Sequence, residues 1–476
     1  MPGRCSSGAF SFEGADLAIM SQQRKMWIGL ALIVSMPSIP ARAQSADQNG
    51  RQLDQKIQEL QKQVDELDQR VKIAERNKEL KDEEAATRAK NAASATADTG
   101  GFTIKSNDGD FLLKIGADLQ VDNRAFVGDG SALGADTILL RRVRPTFSGT
   151  VFKYVDYYFR PDFGQGTTVI YDAYLELKYF RAAKVRVGKF KPPVGLERLQ
   201  SDDDTSFVER GMPTLLAPSR DIGYQISGDV VPQRVNYSVG VFNGVPDNGL
   251  SDVAVSSHRD YAARLFLTPF AGAAGNPLSG LGFGSGISSG GVDGIALPAY
   301  KTFGQTTFFT FAPGVGSAGH RTRLSPQGYY YLGPFGILAE YTLTEEGFKK
   351  GLVQRDIAFR AWQVAATFIV TGEKKAFTSP TPKKSFDPAK HGWGALELAA
   401  RVGDFSAEKG IYTYGFANSA TTPRHAHEVV GGVNWYLNRL LRISLDYGNT
   451  NFGGGGAVGN RLSERVLITR FQVNFI

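Results

Sequence analysis

The chain has 476 residues, with 54 Lys and Arg against 47 Asp and Glu, and a formal net charge of +7. A basic balance is compatible with nucleic acid, an anionic membrane surface or anionic solutes as partners. Cys5 is the single cysteine of the sequence. If Cys5 is removed with an N-terminal signal, neither a disulfide framework nor a thiolate metal site remains possible.

The N-terminus has the layout of a secretory signal. Arg24 and Lys25 precede an apolar run over residues 26–36, and a small-residue cleavage site follows at residues 41–43. We therefore expect residues 1–43 to be a signal peptide, with Met20 as a candidate for the true start. The apolar run is shorter than the roughly 20 residues that a membrane-spanning helix needs, so we expect no helical anchor here. Export makes nucleic acid an unsuitable partner.

A heptad pattern follows the signal. Apolar residues recur at alternating spacings of four and three: Leu53, Ile57, Leu60, Val64, Leu67, Val71 and Ala74. With β-branched residues at a and mostly leucine at d, the pattern predicts a coiled-coil helix over 44–84, of a composition that favours two strands in parallel coiled coils. A single amphipathic helix is the alternative. Residues rich in Ala, Thr and Ser then predict a flexible linker over 85–101.

Beyond the linker the apolar residues alternate with a period of two, which is typical of β-strands. Over 172–179, polar side chains occupy one face and apolar ones the other, and 261–267 and 466–476 behave in the same way. Arginines lie within such strands, where a dry core would exclude them: Arg141, Arg142, Arg144, Arg186, Arg264, Arg401 and Arg470. A water-filled lumen accommodates them.

Aromatic clusters and glycine-rich stretches also indicate a membrane barrel. The aromatics at 154–159 and 329–331 resemble interfacial girdles, and the glycine-rich stretches 271–294 and 453–456 suit long loops. At roughly 20–25 residues per strand and connection, the length allows about 15–19 strands. The prediction is an all-β fold, a transmembrane antiparallel β-barrel over 102–476, preceded by the coiled-coil helix.

The segment after Pro192-Pro193 carries charges of both signs. Two adjacent prolines cannot donate to a sheet ladder, so the strand before them must end there. The charged residues that follow are Glu197, Arg198, Asp202, Asp203, Asp204, Glu209 and Arg210. Composition alone favours a solvated surface loop. In a barrel, the same segment can fold into the lumen and place its arginines beside passing solutes, which we favour.

Eleven short segments, in order, resemble one family. They are Lys114-Ile-Gly, Arg141-Arg142-Val-Arg-Pro, Asp162-Phe-Gly, Asp172-Ala-Tyr, Val187-Gly-Lys-Phe-Lys, Gly195-Leu-Glu, Phe207-Val-Glu-Arg210, Arg220-Asp-Ile-Gly, Gly394-Ala-Leu-Glu-Leu, Asn434-Trp-Tyr-Leu-Asn and Arg470-Phe-Gln-Val-Asn-Phe475. From about residue 112 to the end the chain resembles the phosphate-selective porins of the porin O and porin P type. The resemblance implies a 16-stranded outer-membrane barrel of a Gram-negative bacterium, in contact with outer-membrane lipid and usually trimeric. It also implies passive diffusion of small anions, phosphate or related oxyanions, without a cofactor.

The resemblance also assigns the candidate pore residues. Those that match the family's anion site are Arg141, Arg142, Asp172, Arg198 and Arg210. Arg321 and Arg323 are similar to the family's ladder of lumen-facing arginines. Asp118 and the triplet 202–204 depart from it, since acidic residues stand where the family has basic ones. Both changes lower the positive potential, so a general or differently selective porin stays open.

Other functions find less support. Of five histidines, His425 and His427 share a strand face, but no third ligand stands near them and no metal site is expected. No serine and histidine stand in a nucleophile setting, so we expect no enzyme. We expect the coiled coil to lie in the periplasm, and a barrel that merely anchors it as a structural tether is a further alternative. Ile476 follows Phe475, at the position where such barrels usually end on an aromatic residue.

Overall fold

The computed structural model describes residues 46–98, 100–128, 134–254, 256–273 and 275–475. The predicted signal peptide 1–43, with Met20 and Cys5, and the final Ile476 lie outside the described residues. The chain divides into two compact units, one ending at Ala86 and one from Thr87 onward. Among the helices of the described residues, none combines the length and apolarity that crossing a membrane requires.

The N-terminal helix α1 spans Ala46–Asn91. It begins within the predicted coiled coil and extends past residue 84, because residues 85–91 include Ala85 and Ala86, and alanine is the strongest helix former. Strands β1 (Ser94–Asp98) and β2 (Gly101–Lys105) then form a hairpin. The stretch predicted as a flexible linker is therefore the end of a helix followed by a hairpin strand.

The rest of the chain forms strands, most of which make a barrel. They are β3 (Leu112–Phe126), β4 (Thr137–Val151), β5 (Val155–Asp162), β6 (Val169–Phe180), β7 (Ala183–Phe190), β8 (Asp221–Val231), β9 (Val235–Phe242), β10 (Asp260–Leu267), β11 (Leu281–Gly291), β12 (Tyr300–Lys301), β13 (Thr307–Phe309), β14 (Gly316–Leu332), β15 (Phe335–Lys350), β16 (Val353–Ile369), β17 (Ala395–Ala407), β18 (Pro423–Tyr436), β19 (Leu441–Gly454) and β20 (Glu464–Phe475). Two short helices, α2 (Leu196–Leu199) and α3 (Gly410–Thr413), lie in connections.

Sixteen of these strands, all except β1, β2 and the separate pair β12–β13, close an antiparallel barrel. Consecutive barrel strands pair with one another, and β20 pairs with β3 from Phe475↔Ala117 to Val466↔Phe126. The predicted fold class is confirmed. The hairpin strand β2 pairs with the first residues of β3, beyond the part of β3 that β20 covers.

Side chains alternate between the lumen and the outer surface, as the period of two predicted. On β3, Asp118, Gln120 and Asp122 are buried in the lumen whereas Leu119 is exposed on the outside. The strand arginines Arg401 and Arg470 are likewise buried on the lumen side. The barrel thus has an apolar outer wall and a charged interior.

The connections differ at the two ends of the barrel. At the end where β3 finishes, which we call the loop end, the segments 191–220, 243–259 and 292–315 are long. At the opposite, turn end most connections are short, but residues 370–394 form a long one. The predicted glycine-rich loop over 271–294 is wrong in part, because 281–291 is strand β11. Glycines on the lumen face of β11 leave room for the backbone of the segment 191–220. A Cβ on Gly286 would lie 2.9 Å from the carbonyl oxygen of Pro193.

Two loop-end segments fill part of the lumen. An apolar cluster joins the segment 292–315, which contains β12 and β13, to the segment 191–220 and to the barrel wall. Its buried members include Leu215, Leu216, Tyr300, Phe308, Phe309, Phe348, Phe359, Phe405, Phe416 and Phe452. The cluster fixes both segments inside the barrel.

Candidate functional site: a charged constriction in the lumen

The segment 191–220, called the inward segment below, leaves β7 at the double proline and enters the lumen. Its first helical turn, α2, is anchored to the wall, since the carboxylate of Glu340 on β15 accepts the backbone N–H groups of Leu196 at 2.8 Å and Glu197 at 3.1 Å. Residues 211–220 are all buried. The surface-loop reading is therefore wrong, because the barrel wall surrounds the segment.

The inward segment crosses to the far wall. The N–H of Val208 donates to Asp446 of β19 at 2.8 Å, and the carboxylate of Glu197 accepts from Gln363 of β16 at 2.9 Å. Arg442 of β19 donates to the carbonyl oxygen of Thr205 at 2.8 Å. These contacts hold the backbone on both sides, so the charged side chains project from a fixed frame.

A β-bulge directs two adjacent arginines into the same lumen. Opposite β3, the register moves from Gln120↔Arg142 to Val121↔Leu140, which leaves Arg141 as the extra residue of β4. A bulge of this kind re-aims a side chain that strict alternation would turn outward. Arg141 and Arg142 therefore both reach the inward segment.

Asp202 lies at the centre of one cluster. Its carboxylate accepts hydrogen bonds from Arg144 and Arg210 and lies 3.7 Å from Nε of Arg142. Burial disfavours the charge of Asp202, but Arg210, Arg142 and Arg144 outweigh burial and hold the pKa of its carboxyl well below the ordinary range. Asp202 is thus an ionised anchor for three guanidinium groups.

Glu209 organises a second cluster. Its carboxylate accepts from Nε of Arg141 at 2.6 Å and from Arg124 at 3.0 Å. Burial opposes ionisation here also, yet Arg141 and Arg124 hold the pKa of Glu209 well below its usual range. The arginines of β3 and β4 are thereby tied to the inward segment.

Arg198 differs from the other arginines around it. Its guanidinium donates to the carbonyl oxygen of Thr214 and, at 2.6 Å, to the side-chain oxygen of Asn248. Within the described part of the chain no carboxylate lies within salt-bridge distance of Arg198, and its buried Nε has no hydrogen-bond partner. Burial and the charge of Arg210 lower the pKa of Arg198 to about 10, so it is cationic at neutral pH.

These arginines line a cavity of about 380 Å³ on the loop-end side of the inward segment. Six cationic and three acidic side chains face it: Arg141, Arg142, Arg144, Arg198, Arg210 and Lys301, with Asp162, Glu209 and Glu428. A second cavity of about 420 Å³ lies on the turn-end side and carries Asp203, Asp204, Arg439 and Arg442. Positive charge is in excess in the first cavity and balanced in the second.

Asp172 stands beside the first cavity. Its carboxylate accepts from Nε of Arg220 at 3.2 Å. The ring of the neighbouring Tyr171 lies between two guanidinium groups. The guanidinium carbon (Cζ) of Arg144 and that of Arg220 each lie 3.7 Å from the ring centroid. Stacking on an aromatic face contributes about 0.5–2 kcal/mol per cation. Asp172 and Tyr171 therefore position arginines.

Arg321 and Arg323 lie on one strand, β14, and face the lumen. Arg323 is enclosed by Asp247 at 2.7 Å and Asp260 at 2.8 Å, and its side chain is fully buried. Arg321 lies 3.6 Å from Asp260 and 3.8 Å from Glu346. The two arginines thus form an ion-pair network of their own, beside the cavity that contains Arg198.

The acidic residues that depart from the family pattern have separate contacts. Asp118 is buried on β3 and lies 3.5 Å from Arg160. Asp203 lies 3.6 Å from the same arginine. The carboxylate of Asp204 accepts the N–H of Ser379, from the long turn-end connection, at 2.7 Å. Of the triplet, only Asp202 meets the arginines of the first cavity.

Sequence reasoning missed several residues of the constriction as site residues. The sequence places Arg144 among the lumen arginines and Glu209 among the charges after the double proline, but it assigns neither to the anion site. Arg124, Tyr171 and Arg220 are not assigned to it either. Arg144 is two residues from Arg142 and shares its lumen face, a spacing that identifies it once the strand is known. Arg124 shares the lumen face of Asp122 on β3 by the same two-residue spacing. Tyr171 is the extra residue of a bulge in β6, and Glu209 and Arg220 are brought in by the path of the inward segment.

Comparison with known proteins agrees with this architecture. The model of the family "phosphate-selective porin O and P" matches residues 113–475. Porin O of Pseudomonas aeruginosa is 25% identical over 378 residues, which cover 73% of this chain and 85% of that protein. Among solved structures, a loop L8 deletion mutant of OmpT, an outer membrane protein of Vibrio cholerae, is similar in fold, with a TM-score of 0.50 and 14% identity over 77% of this chain and 99% of that one.

Proposed function

We propose that this chain, which belongs to the phosphate-selective porin O and P family, passes small anions of the phosphate class through the arginine-lined cavity. The protein is an outer-membrane porin, a channel and not an enzyme. The observation that carries the selectivity proposal is the excess of cationic side chains in the cavity beside the inward segment.

The physical argument starts from the field in a narrow lumen. A low-dielectric cleft lined with one sign of charge focuses the field and raises the local concentration of counter-ions. Rings of charged side chains select the sign of an ion, and conduction needs binding that is weak enough to release it. The carboxylates of Asp202 and Glu209 supply that moderation, because they neutralise part of the guanidinium charge while fixing its position.

Arg198 is the contact we propose for the anion itself. Guanidinium offers a planar fork of donors that matches phosphate oxygens. Arg141, Arg142, Arg144 and Arg210 each lie within salt-bridge distance of a carboxylate, whereas no carboxylate among the described residues lies that close to Arg198. The paired arginines provide the surrounding field, with Arg321 and Arg323 as a neighbouring part of the lumen charge.

A differently selective porin is the second candidate. It is favoured by the number of lumen carboxylates, since Asp118, Asp202 and Glu209 each lie beside an arginine. A largely neutralised lumen would pass chloride without preference for phosphate. For assembly, we propose the homotrimer that the family implies.

The test is a comparison of single channels in planar bilayers. Hydrogen bonds to charged groups contribute about 1.5–3 kcal/mol, so Arg198→Gln should raise the phosphate concentration that half-blocks chloride current by about tenfold or more, which corresponds to ~1.4 kcal/mol. Its reversal potential in a salt gradient should also move toward cation selectivity. Arg198 is preferable to Arg210 as the target, because Arg198 binds one carbonyl oxygen of the inward segment, whereas Arg210 binds two and also the carboxylate of Asp202.

Arg186→Gln is the matched control. Arg186 pairs with Glu176 on the lumen wall and does not line the cavity, so its loss removes the same charge elsewhere. It should leave phosphate block close to that of the parent. Equal block in the parent, Arg198→Gln and Arg186→Gln would contradict the proposed contact. Chloride current that phosphate does not block in the parent would favour the second candidate.

A further inference from the structure

A continuous apolar seam on α1 has no partner within the described residues of its own unit. Leu53, Ile57, Leu60, Val64, Leu67 and Val71 are between 46% and 63% exposed. The helix runs for 46 residues, and most helical stability in proteins comes from packing an apolar face. A seam of this length therefore calls for another helix.

The charges beside the seam differ on its two sides. The positions that follow the leucines, e in the heptad, are Asp54, Gln61, Asp68 and Glu75. The positions that precede the β-branched residues, g in the heptad, are Lys56, Gln63 and Arg70. One flank of the seam is thus acidic or neutral and the other is basic or neutral.

We propose that the seam binds the same seam on further copies of this chain, with the helices parallel and in register. In a parallel coiled coil each g residue faces the e residue of the following heptad on its neighbour, and these pairs set partner and orientation. Arg70 then faces Glu75, and Gln63 faces Asp68. An antiparallel arrangement would set basic flank against basic flank and acidic against acidic.

The contacts within α1 do not oppose this pairing. Arg70 lies 2.8 Å from Glu66 and Lys72 lies 2.7 Å from Asp68, with all four side chains largely exposed. Exposed pairs of this spacing contribute only about 0.3–0.5 kcal/mol, so a neighbouring helix can exchange them. Copies of an outer-membrane protein also share one orientation in the membrane, which suits parallel pairing. The inference does not depend on which solute the barrel passes.

The test is disulfide formation between full-length chains in isolated outer membranes, in a Cys5→Ser background. Position 60 is at the seam, so in a parallel, in-register pair Leu60→Cys should bring two thiols within the 4.4–6.8 Å Cα separation that a disulfide spans. Lys62→Cys, half a turn away on the outer face, is the matched control. We expect at least tenfold more covalent dimer from Leu60→Cys after mild oxidation.

A charge exchange tests orientation. Arg70→Glu in the Leu60→Cys chain should lower the dimer yield, and Arg70→Glu with Glu75→Arg should restore it, because the parallel pair is rebuilt with its signs exchanged. Equal yields from positions 60 and 62 would overturn the proposal. So would linkage between chains carrying Leu53→Cys and Val71→Cys without linkage at position 60, since only antiparallel helices place a d position and a distant a position together.

Discussion

At the scale of single residues, the lumen depends on carboxylates as much as on arginines. Three guanidinium groups converge on Asp202 and three on Glu209, so the acids determine where the cationic charge lies. The acidic triplet 202–204 stands where the family has a basic residue, and this departure predicts a lower positive potential in the pore. Its first member instead orders the basic cluster, while Asp204 binds a connection at the other end of the barrel.

Asp202→Asn should make the lumen more positive and less ordered. Three guanidinium groups lose their shared counter-ion, and removing one partner of a buried ion pair costs about 3–5 kcal/mol. The pKa of Asp202 lies well below its usual range, so mild acid leaves it charged and substitution is needed to discharge it. We expect a reversal potential shifted toward anions and a lower thermal unfolding midpoint, measured on bilayer-reconstituted and detergent-solubilised protein respectively.

Asp204→Asn is the control for this effect. It removes one charge two residues away, at a carboxylate that accepts from the N–H of Ser379 and from no arginine among the described hydrogen bonds. Its reversal potential should stay near that of the parent. If both variants shift it equally, Asp202 acts through net charge alone and not through the arginines that it holds.

The residues of the site were partly accessible from the sequence. Resemblance to a family placed Arg141, Arg142, Arg198 and Arg210, and the structure brings these four around one cavity. Sequence could not show that Arg198 lacks a carboxylate partner, because its neighbours Thr214 and Asn248 belong to two different segments. Arg321 and Arg323 share a strand face as expected, yet the loop residue Asp247 that binds Arg323 lies 76 positions away.

At the scale of elements, the inward segment is fitted closely to the wall. Gly286 on β11 faces the double proline, and a Cβ there would lie 2.9 Å from the carbonyl oxygen of Pro193 and 3.1 Å from Cα of Val194. Both contacts are with backbone, which cannot give way as a flexible side chain does. The glycine content of 281–291 suggested a loop, whereas here it serves a strand against which another backbone packs.

Gly286→Ala should therefore push the inward segment away from β11 and further into the lumen. Overpacking of this kind costs about 1–3 kcal/mol. We expect a smaller single-channel conductance and a lower unfolding midpoint. Gly431→Ala on β18, where a Cβ meets no atom within 4 Å, should leave both unchanged. A conductance of Gly286→Ala equal to that of the parent would contradict this prediction. It would show that the inward segment accommodates the added methyl group without narrowing the lumen.

At the scale of the whole molecule, the sequence predicted the barrel but not how the segments inside its lumen pack. Alternation along each strand is a local property, so the fold class followed from it. Length allowed about 15–19 strands, and the number 16 required the resemblance. The position of the second segment, 292–315, inside the lumen was not predicted. The pattern of its aromatic residues is like that of a strand, and their packing partners lie on distant strands of the closed barrel.

The division into two units leads to a test of whether the helix matters for transport. Every residue that lines the cavity beside the inward segment belongs to the unit that starts at Thr87. A chain with residues 46–91 deleted should therefore keep the single-channel conductance and phosphate block of the parent. The deletion must stop at Asn91, because β1 and β2 form the hairpin that extends the sheet beside β3.

A longer deletion, 46–105, is the informative comparison. It also removes the hairpin and so exposes the first residues of β3, where an unpaired strand edge is unfavourable in a barrel. We expect the longer deletion to lower the unfolding midpoint and the shorter one to leave it unchanged. If the chain without residues 46–91 inserts as a folded barrel but no longer conducts, the helix is part of the channel. If it conducts normally while a cell-envelope phenotype is lost, the tether role belongs to the helix in addition to transport by the barrel.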